Sequence, residues 1–367
     1  MTDWSRIVNT TIREYVRGEE VNVLRNRKVT AMLKSKGRIS FNHGGDGIDW
    51  KIRYKRAPLI GYADTDTLTF SRRDRWKTAF LDYRGYAIVD SMTKQEKLKN
   101  KSTEAIVKIY DNLAKNLMED AEDQFGDEFY VDGGASGNGK RFFGIESFMG
   151  GTGSDISNVP VQNPSQTYAT LSTALGNYGG SWTGNWPIGF GDAHYDFWSP
   201  LLVDYTSTNT PSSTVTGWSA STKTWANTCI EATRFGIIHS RKNKTPKGLL
   251  DFVLLNDELY RLFIEQYATK ERISINRGSK SSGLQTVGFD DVINFEGCEL
   301  TYEYGISSGI GYGWNIDQME LISLQSQLFV PEGPDYDVAS KSWRFSIDMF
   351  GQLKFNPRYF LKLKAYT

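Results

Sequence analysis

Cysteine, histidine and long apolar runs are scarce in this chain of 367 residues. The two cysteines, Cys229 and Cys298, lie far apart, so the sequence offers neither a disulfide framework nor a metal-ligand spacing. No stretch approaches the roughly 18 apolar residues that a membrane span needs, and the first residues lack the apolar core of a signal peptide. These absences predict a protein of a reducing cytoplasm that needs no cofactor and no membrane.

The chain has no excess of either charge, since 43 basic residues balance 43 acidic ones. The net charge therefore indicates neither a chain that binds nucleic acid over its whole surface nor an acidic segment that increases solubility. The distribution is uneven, because the first 56 residues hold 13 Lys or Arg against 6 Asp or Glu, and the last 27 hold six cations and one acid. Two interpretations of these basic ends stay open: a solvated surface, or neutralisation of phosphate without sequence readout.

Signatures of catalysis are weak throughout the sequence. The stretch GASGNGKR, residues 134–141, spells GxxxxGK but has Arg141 where a P-loop needs Ser or Thr, so we predict a glycine-rich surface loop. His194 in DAHYD has no evident further ligands, and no serine lies in a GxSxG elbow. Acid pairs that a glycosidase would use are Asp290 with Asp291 and Asp335 with Asp337. A β-rich carbohydrate-active enzyme with a Trp- and Tyr-rich platform therefore stays as an alternative.

A period of two marks the first firm strand, DWKIRYKR. Trp50, Ile52 and Tyr54 fall on one face there, and cations fall on the other. A second β-type stretch, residues 66–90, returns the chain and carries a charged segment at Arg72–Arg75. Together they predict a long hairpin, which needs a surface to lie on because two strands alone are marginal in water.

A long helix is predicted from residue 93 to Gly126. Thr93 and Glu96 form a capping-box pattern, and apolar residues then recur mostly at every fourth position up to Phe125. The order of its charges opposes the helix macrodipole, with lysines first and acids last. The lysines are Lys94, Lys97, Lys99 and Lys101, and the acids are Glu119, Asp120, Glu122 and Asp123. We infer that these charges serve neighbouring groups rather than the helix itself.

Loop-rich β structure is expected for residues 132–219, where Gly, Ser, Thr, Asn and Trp are frequent. Helices are predicted in TWANTCIEATRFGII and in DELYRLFIEQYATK, whose Asp257 and Glu258 suit a helix start, with the buried strand LLDFVLLN between them. The final stretch FGQLKFNPRYFLKLK is predicted to form two closing strands that break at Pro357. The cations expected to point off its packed face are Lys354, Lys362 and Lys364.

This order of parts resembles the major capsid protein of tailed bacteriophages, which has the Hong Kong 97-type fold. EEVNVLRNRKVTAMLKSKGRISFNHGGDGIDWKIRYKRAPLIGY is similar to the segment that leads into the E-loop hairpin of that family. TWANTCIEATRFGIIHSRKNKTPKGLLDFVLLNDELYRLFIE resembles a helix, strand and helix of its axial domain. VGFDDVINFEGCELTYEYGI resembles its strand pair, and GQLKFNPRYFLKLK resembles its usual ending. The resemblance covers nearly the whole chain.

The resemblance implies an α+β capsid fold in five parts. They are an N-terminal arm at residues 1–45, an E-loop hairpin at 46–85, a peripheral domain with a long spine helix at 86–148, an axial domain at 149–322, and closing strands of the peripheral domain at 323–367. Because about 45 residues precede the hairpin, any scaffolding protein is expected to be a separate chain.

The function that the resemblance implies is self-assembly, as hexamers and pentamers, into an icosahedral virion head around double-stranded DNA. Assembly is expected in the cytoplasm of the bacterial host. A portal and a scaffolding protein are expected partners, and a decoration protein is a further candidate. A tail or portal-associated virion protein, which would form rings or tubes, is the other alternative.

The resemblance also implies roles for particular residues. The hairpin residues expected to contact a neighbouring subunit are Trp50, Ile52, Tyr54, Arg72, Arg73, Arg75 and Trp76. We expect the arginines among them to meet the acidic end of the spine helix. The cations expected to face packaged DNA are Arg25, Arg27, Lys28, Lys34, Lys36, Lys94 and Lys97. Part of the family forms a covalent Lys–Asn link; Lys55, Lys77 and Asn356 lie in the corresponding regions, but no motif marks them as reactive.

Overall fold

The computed structural model describes most of the chain outside its N-terminal arm. The described residues are 27–54, 59–72, 74–99, 116–118, 120–121, 124–156, 159–174, 198–208, 218–241, 250–270 and 292–366. The short helix predicted near residues 3–16 and the middle of the predicted spine helix lie outside them. Both helices and mixed sheets are present, as the predicted α+β class requires.

β-Strands make up most of the regular secondary structure in the described residues. In chain order they are β1 (Ile39–Ser40), β2 (Gly47–Arg53), β3 (Trp76–Asp82), β4 (Arg84–Thr93), β5 (Gly151–Asp155), β6 (Val161–Pro164), β7 (Thr167–Tyr168), β8 (Leu171–Ser172), β9 (Leu201–Asp204), β10 (Phe252–Leu255), β11 (Ile293–Phe295), β12 (Cys298–Tyr302), β13 (Ile310–Trp314), β14 (Met319–Ser323), β15 (Val330–Asp337), β16 (Ser342–Phe355) and β17 (Leu361–Lys364). Two larger sheets result. One has eight strands in the order β11-β12-β10-β13-β17-β9-β6-β5, and the other has five, in which β4, β14 and β15 all pair with β16 and β1 pairs with β14.

The helices with defined bounds are α1 (Lys28–Ser35), α2 (Lys94–Lys99), α3 (Trp225–Arg241) and α4 (Asp257–Lys270). The predicted capping box at α2 is confirmed, because the Thr93 amide donates to Glu96 Oε2 at 2.9 Å and the Glu96 amide donates to Thr93 Oγ1 at 3.3 Å. Residues 116–118, 120–121 and 124–128 are also helical, in line with the predicted end of the spine helix. Helix α4 begins with Asp257 and Glu258 in its first turn, as predicted.

The eight-stranded sheet separates two apolar clusters. Phe252 and Leu254 of β10 point into the first cluster, and Val253 and Leu255 point into the second. Because β10 is buried on both faces, its sequence is a continuous apolar run instead of an alternating one. The first cluster also packs against the five-stranded sheet, and the second is covered by α3 and α4.

The predicted closing strands belong to different sheets. β16 is the central strand of the five-stranded sheet, whereas β17 lies between β13 and β9 in the eight-stranded one. Leu361 and Leu363 pack in the second cluster as expected. The prediction that Lys362 points off the packed face is wrong, because the opposite face of β17 is covered as well. Lys362 is 2% exposed, and its Nζ lies 2.6 Å from a carboxylate oxygen of Glu146.

A glycine occupies a position in the five-stranded sheet that has no room for a side chain. Gly351 lies on β16, where β16 pairs with Ser323 of β14 and with Arg84 of β4. A Cβ atom at this position would lie 2.3 Å from the carbonyl oxygen of Ile322. No side chain fits there unless the two strands separate.

Candidate functional site

The inner face of the hairpin formed by β2 and β3 packs on the chain's own core. Trp50, Ile52 and Tyr54 are half-buried against the first apolar cluster. The ring of Trp50 lies 6.1 Å from that of the buried Trp198, and Tyr54 donates to Asp74 at 3.3 Å. The alternation predicted from the sequence is therefore present. These three side chains, however, attach the hairpin to the core of its own chain.

The outer face and the tip of the hairpin carry the exposed groups. Trp76 is 55% exposed and pairs with Arg53 across the two strands. Arg72 is exposed and Arg75 is half-buried, while Arg73 lies outside the described residues. The tip also presents large apolar side chains to solvent, which are Leu59 (101%), Ile60 (57%), Tyr62 (71%) and Phe70 (93%). Such a concentration of exposed apolar groups is unusual on a protein that acts alone.

Two of the arm cations are engaged inside the chain. The ammonium of Lys28 is buried and donates to Thr301 Oγ1 at 3.1 Å and to the carbonyl oxygen of Tyr302. The guanidinium of Arg27 lies 3.6 Å from Asp127 and 3.9 Å from Glu303. Burial raises the pKa of Glu303, and the two cations partly offset that rise. These contacts fasten α1 to the end of β12, so we leave both cations out of the proposed DNA-facing set.

The other predicted DNA-facing cations differ in exposure. Lys34, Lys36 and Lys94 are exposed. Lys97 is half-buried, with its Nζ 3.9 Å from the centre of the Trp343 ring, and burial lowers its pKa. Arg25 lies outside the described residues.

An open groove crosses the exposed face of β4, β16 and β15. It encloses about 800 Å³ and is called the acidic groove here because four of its ten lining residues are acids. The lining residues are Val89, Asp90, Ser91, Glu332, Asp335, Tyr336, Asp337, Arg344, Phe345 and Ser346. Arg344 forms an ion pair with Asp337. Val89 is 71% exposed and Tyr336 is 43% exposed, so the groove combines negative charge with apolar surface.

The glycine-rich loop at residues 134–141, whose sequence resembles a P-loop, contacts the cationic side chain of Arg84. The guanidinium of Arg84 donates to the carbonyl oxygens of Gly133 and Asn138, both at 3.1 Å, and to that of Arg141. A phosphate cradle presents backbone N–H groups, whereas this loop turns carbonyl oxygens inward. Arg141, which replaces the hydroxyl residue, pairs with Glu128. The geometry therefore agrees with the predicted surface loop.

Of the other candidates for chemistry, the structure describes only the pair Asp335 and Asp337. His194 and the pair Asp290–Asp291 lie outside the described residues. Asp335 and Asp337 are part of the acidic groove. Among the described residues no group of three His, Cys, Asp or Glu side chains is arranged to hold a metal ion.

Two carboxyl groups meet beside the edge of the eight-stranded sheet. Asp155 and Asp204 lie within hydrogen-bonding reach of each other, and Oδ2 of Asp204 is buried without a donor among the described residues. Burial raises the pKa of Asp155 to about 6, and the neighbouring Asp204 adds to the rise. A proton on Asp155 supplies the missing donor.

We expect Asp155→Asn to raise the thermal midpoint at pH 7 by a few degrees. In the unfolded chain this carboxyl ionises near pH 4, so the folded state holds more protons between pH 4 and 6 and loses stability as the pH rises through 6. In the variant the side-chain amide at position 155 donates to Asp204 at every pH. The fall in stability that this position causes between pH 4 and 6 therefore disappears. Calorimetry of the unassembled chain from pH 4 to pH 7 tests this, with Asp64→Asn at the exposed tip as the control; the same fall in stability in Asp155→Asn would contradict it.

Nearly the full length of the chain aligns with a solved viral capsid subunit. The capsid asymmetric unit of cyanophage A-1(L) matches with a TM-score of 0.54 at 14% identity, covering 95% of this chain and 92% of that one. The chain has the fold of a phage capsid protein. The predicted α+β capsid fold is thereby confirmed from α1 to β17.

Two further structures have lower scores. The mature capsid of bacteriophage PhiM1 matches at a TM-score of 0.49 and 9% identity, covering 90% of this chain and 86% of that one. The capsid of the native GTA particle matches at 0.49 and 9%, covering 91% and 90%. No protein-family model matches the sequence, and no curated protein matches it. Across the described residues of this capsid fold, no helix is long and apolar enough to cross a membrane.

Proposed function

We propose that the chain is a major capsid protein that assembles as hexamers and pentamers into an icosahedral head around double-stranded DNA. The observation that carries the proposal is the capsid fold, shared over nearly the full length of the chain. The exposed apolar tip of the hairpin supports it, because Leu59, Tyr62 and Phe70 need a partner surface to leave water. Such a protein acts by associating with further copies of itself and not by turning over a substrate, so we propose no enzymatic activity.

In the proposed shell the hairpin lies over a neighbouring subunit. Of the hairpin residues predicted to contact it, Arg72 and Trp76 have the exposure that the role requires, whereas Arg75 is half-buried. Trp50, Ile52 and Tyr54 hold the hairpin to its own subunit from below. Burying each exposed apolar side chain of the tip stabilises the contact by about 1.5 to 3 kcal/mol.

The proposed contact with DNA is electrostatic and independent of sequence. Exposed Lys34, Lys36 and Lys94 offset phosphate charge on the inner surface. Because the cations are few, they attract the DNA weakly, which allows the genome to be packaged and later released. A separate scaffolding protein and a portal complete the proposed assembly in the host cytoplasm, and a decoration protein is a candidate outer partner.

Electron microscopy with light scattering of the purified chain tests the proposed function. We expect closed shells, formed by the chain alone or after coexpression with the scaffolding protein of the same phage. Open tubes or rings would instead indicate a tail or portal-associated protein. A stable monomer that hydrolyses glycans would overturn the proposal.

We expect the double substitution Leu59→Ser and Phe70→Ser to lower shell yield at least a hundredfold at a fixed protein concentration. Both side chains are almost fully exposed in the single chain, so the fold has little to lose. The two substitutions together weaken each inter-subunit contact by about 3 kcal/mol or more. Each 1.4 kcal/mol corresponds to a factor of ten in the association constant, so the expected loss is at least about a hundredfold. Sedimentation of assembled material measures the yield.

A substitution on another exposed apolar group provides the control for the tip. Ile238 on α3 is 52% exposed, and Ile238→Ser should leave the shell yield unchanged. Circular dichroism confirms that each variant folds. Shells formed at the normal concentration by the double variant would show that the tip is not an inter-subunit contact.

A further inference from the structure

We infer that the edge of the eight-stranded sheet forms a binding site for a calcium ion, with Asp155, Gln162 and Asp204 as its ligands. The three residues belong to adjacent strands of one chain. Calcium binding there needs no second subunit, so it goes beyond the proposed capsid function and does not depend on it.

The register of three neighbouring strands brings these polar side chains together. Asp155 ends β5 and pairs directly with Gln162 of β6. Gln162 also pairs with Leu202 of β9, two positions before Asp204. Because side chains alternate between the two faces of a sheet, all three polar side chains project from the same face. Their proximity is visible in a hydrogen bond, since Gln162 Nε2 donates to Asp155 Oδ1 at 2.5 Å.

Two buried oxygen atoms of this cluster receive no hydrogen bond from the described residues. They are Gln162 Oε1 and Asp204 Oδ2, and the two side chains are 1% and 0% exposed. The other oxygen of Asp204 accepts from the amide and the hydroxyl of Thr206, at 2.8 and 2.6 Å. A buried acceptor without a partner is costly. A proton on Asp155 serves Asp204 and leaves Gln162 unsatisfied, whereas a cation between the strands can contact both.

The atoms that face this position favour calcium over other metal ions. They are the oxygens of two carboxylates and one amide, and the hydroxyl of Ser207 lies within hydrogen-bonding reach of Asp155. A set of oxygens without nitrogen or sulfur suits a hard cation. Calcium accepts amide oxygens and irregular geometry, whereas magnesium keeps most of its water. Asp155 is half-buried, so solvent reaches the site and can complete the coordination with water.

The small number of charged ligands indicates weak binding. Calcium affinity rises with the charge of the site, and dissociation constants of about 0.1 to 1 mM are typical of extracellular modules. We expect a value in this range for the two carboxylates. In the proposed head, calcium would then bind after release from the host cell, where it would tie the edge strand β5 to β9. That timing rests on the proposed function, whereas the binding itself does not.

Calorimetry of the unassembled chain with and without calcium tests the site. At about 10 mM calcium and pH 7 we expect the thermal midpoint to rise by about 2 to 4 °C, because a ligand that binds only the folded chain stabilises it. Asp155→Asn and Asp204→Asn each remove a charge at nearly constant shape and should abolish the rise. Asp64→Asn at the exposed hairpin tip is the matched control and should respond as the parent chain does.

Magnesium at the same concentration separates calcium binding from a general effect of salt. We expect it to raise the midpoint by less than half as much as calcium does. A parent midpoint that calcium leaves unchanged would overturn the inference. An equal calcium response in the two asparagine variants at the sheet edge, or an equal response to both cations, would overturn it as well.

Terbium luminescence locates the ion independently of stability. Terbium replaces calcium at oxygen sites and emits light when a nearby indole is excited. The indole nitrogen of Trp218 donates to the carbonyl oxygen of Asp204 at 3.0 Å, so this ring lies close to the site. We expect emission that calcium suppresses, that Trp218→Phe lowers at least twofold and that Asp204→Asn abolishes, with circular dichroism confirming that each variant folds.

The outcome of these measurements is independent of shell formation. Emission that neither substitution changes would place the ion elsewhere and overturn the inference, while leaving the capsid function standing. Calcium binding by a chain that never forms closed shells would support the site and count against the capsid function.

Discussion

Replacing Lys362 by methionine should lower the free energy of unfolding by about 3 kcal/mol. The Lys362 side chain is 3% exposed, and its ammonium also donates to the carbonyl oxygen of Met149 at 3.2 Å. Methionine fills similar space but leaves the Glu146 carboxylate with the Tyr312 hydroxyl and no cation. We place the cost at the lower end of the range for a broken buried pair, because the Glu146 side chain is 23% exposed. Guanidinium unfolding of the unassembled chain measures it.

Two variants separate the loss of a partner from the loss of a lysine. Adding Glu146→Gln to Lys362→Met removes the stranded charge and should recover at least half of the lost stability. Arg261→Met breaks an exposed pair with Glu265 on α4, whose side chains are 60% and 57% exposed, and should cost about 0.5 kcal/mol or less. If Lys362→Met costs no more than Arg261→Met, the buried pair is not a stabilising contact.

Gly351→Ala should destabilise the five-stranded sheet by about 3 kcal/mol, as an overpacked core position does. The added Cβ would meet the carbonyl oxygen of Ile322 at 2.3 Å, and that oxygen belongs to the backbone of β14. Relief requires β14 and β16 to separate, which weakens the hydrogen bonds beside Ser323. The denaturant midpoint should fall while its dependence on denaturant concentration stays the same.

Gly139→Ala is the matched control for Gly351→Ala. Gly139 lies in a surface turn, and a Cβ there would have no heavy atom within 4 Å. We expect its unfolding midpoint to equal that of the parent chain. Equal midpoints for the two alanine variants would mean that β14 and β16 separate without cost.

The parts of the fold that follow from local pattern could be predicted from the sequence. The hydroxyl of Thr93 and the carboxylate of Glu96 cap a helix through a four-residue motif, and the structure shows both hydrogen bonds. Asp257 begins α4 because acids stabilise the first turn. The alternation from Trp50 to Tyr54 correctly separated apolar residues from cations. Each of these inferences needs only residues that are close in the chain.

The roles of individual cations could not be predicted, because they depend on what covers the second face of an element. Lys28 is one of a run of arm cations, yet Thr301 and Tyr302 receive its ammonium from more than 270 positions away. Lys362 alternates with leucines as an exposed residue would, yet Glu146 meets it inside the fold. The acidic groove was missed for the same reason. A signal was present in the acids of residues 332–337, of which Asp335 and Asp337 alone suggested a catalytic pair.

The position of β17 has a consequence for the order of events during synthesis. This strand follows every other strand of the eight-stranded sheet in the sequence, yet it lies between β13 and β9. Until residues 361–364 leave the ribosome, the sheet is divided into two halves that have no common edge. The eight-stranded sheet can therefore close only after β17 has been synthesised, and a partly synthesised chain without this strand has no complete sheet.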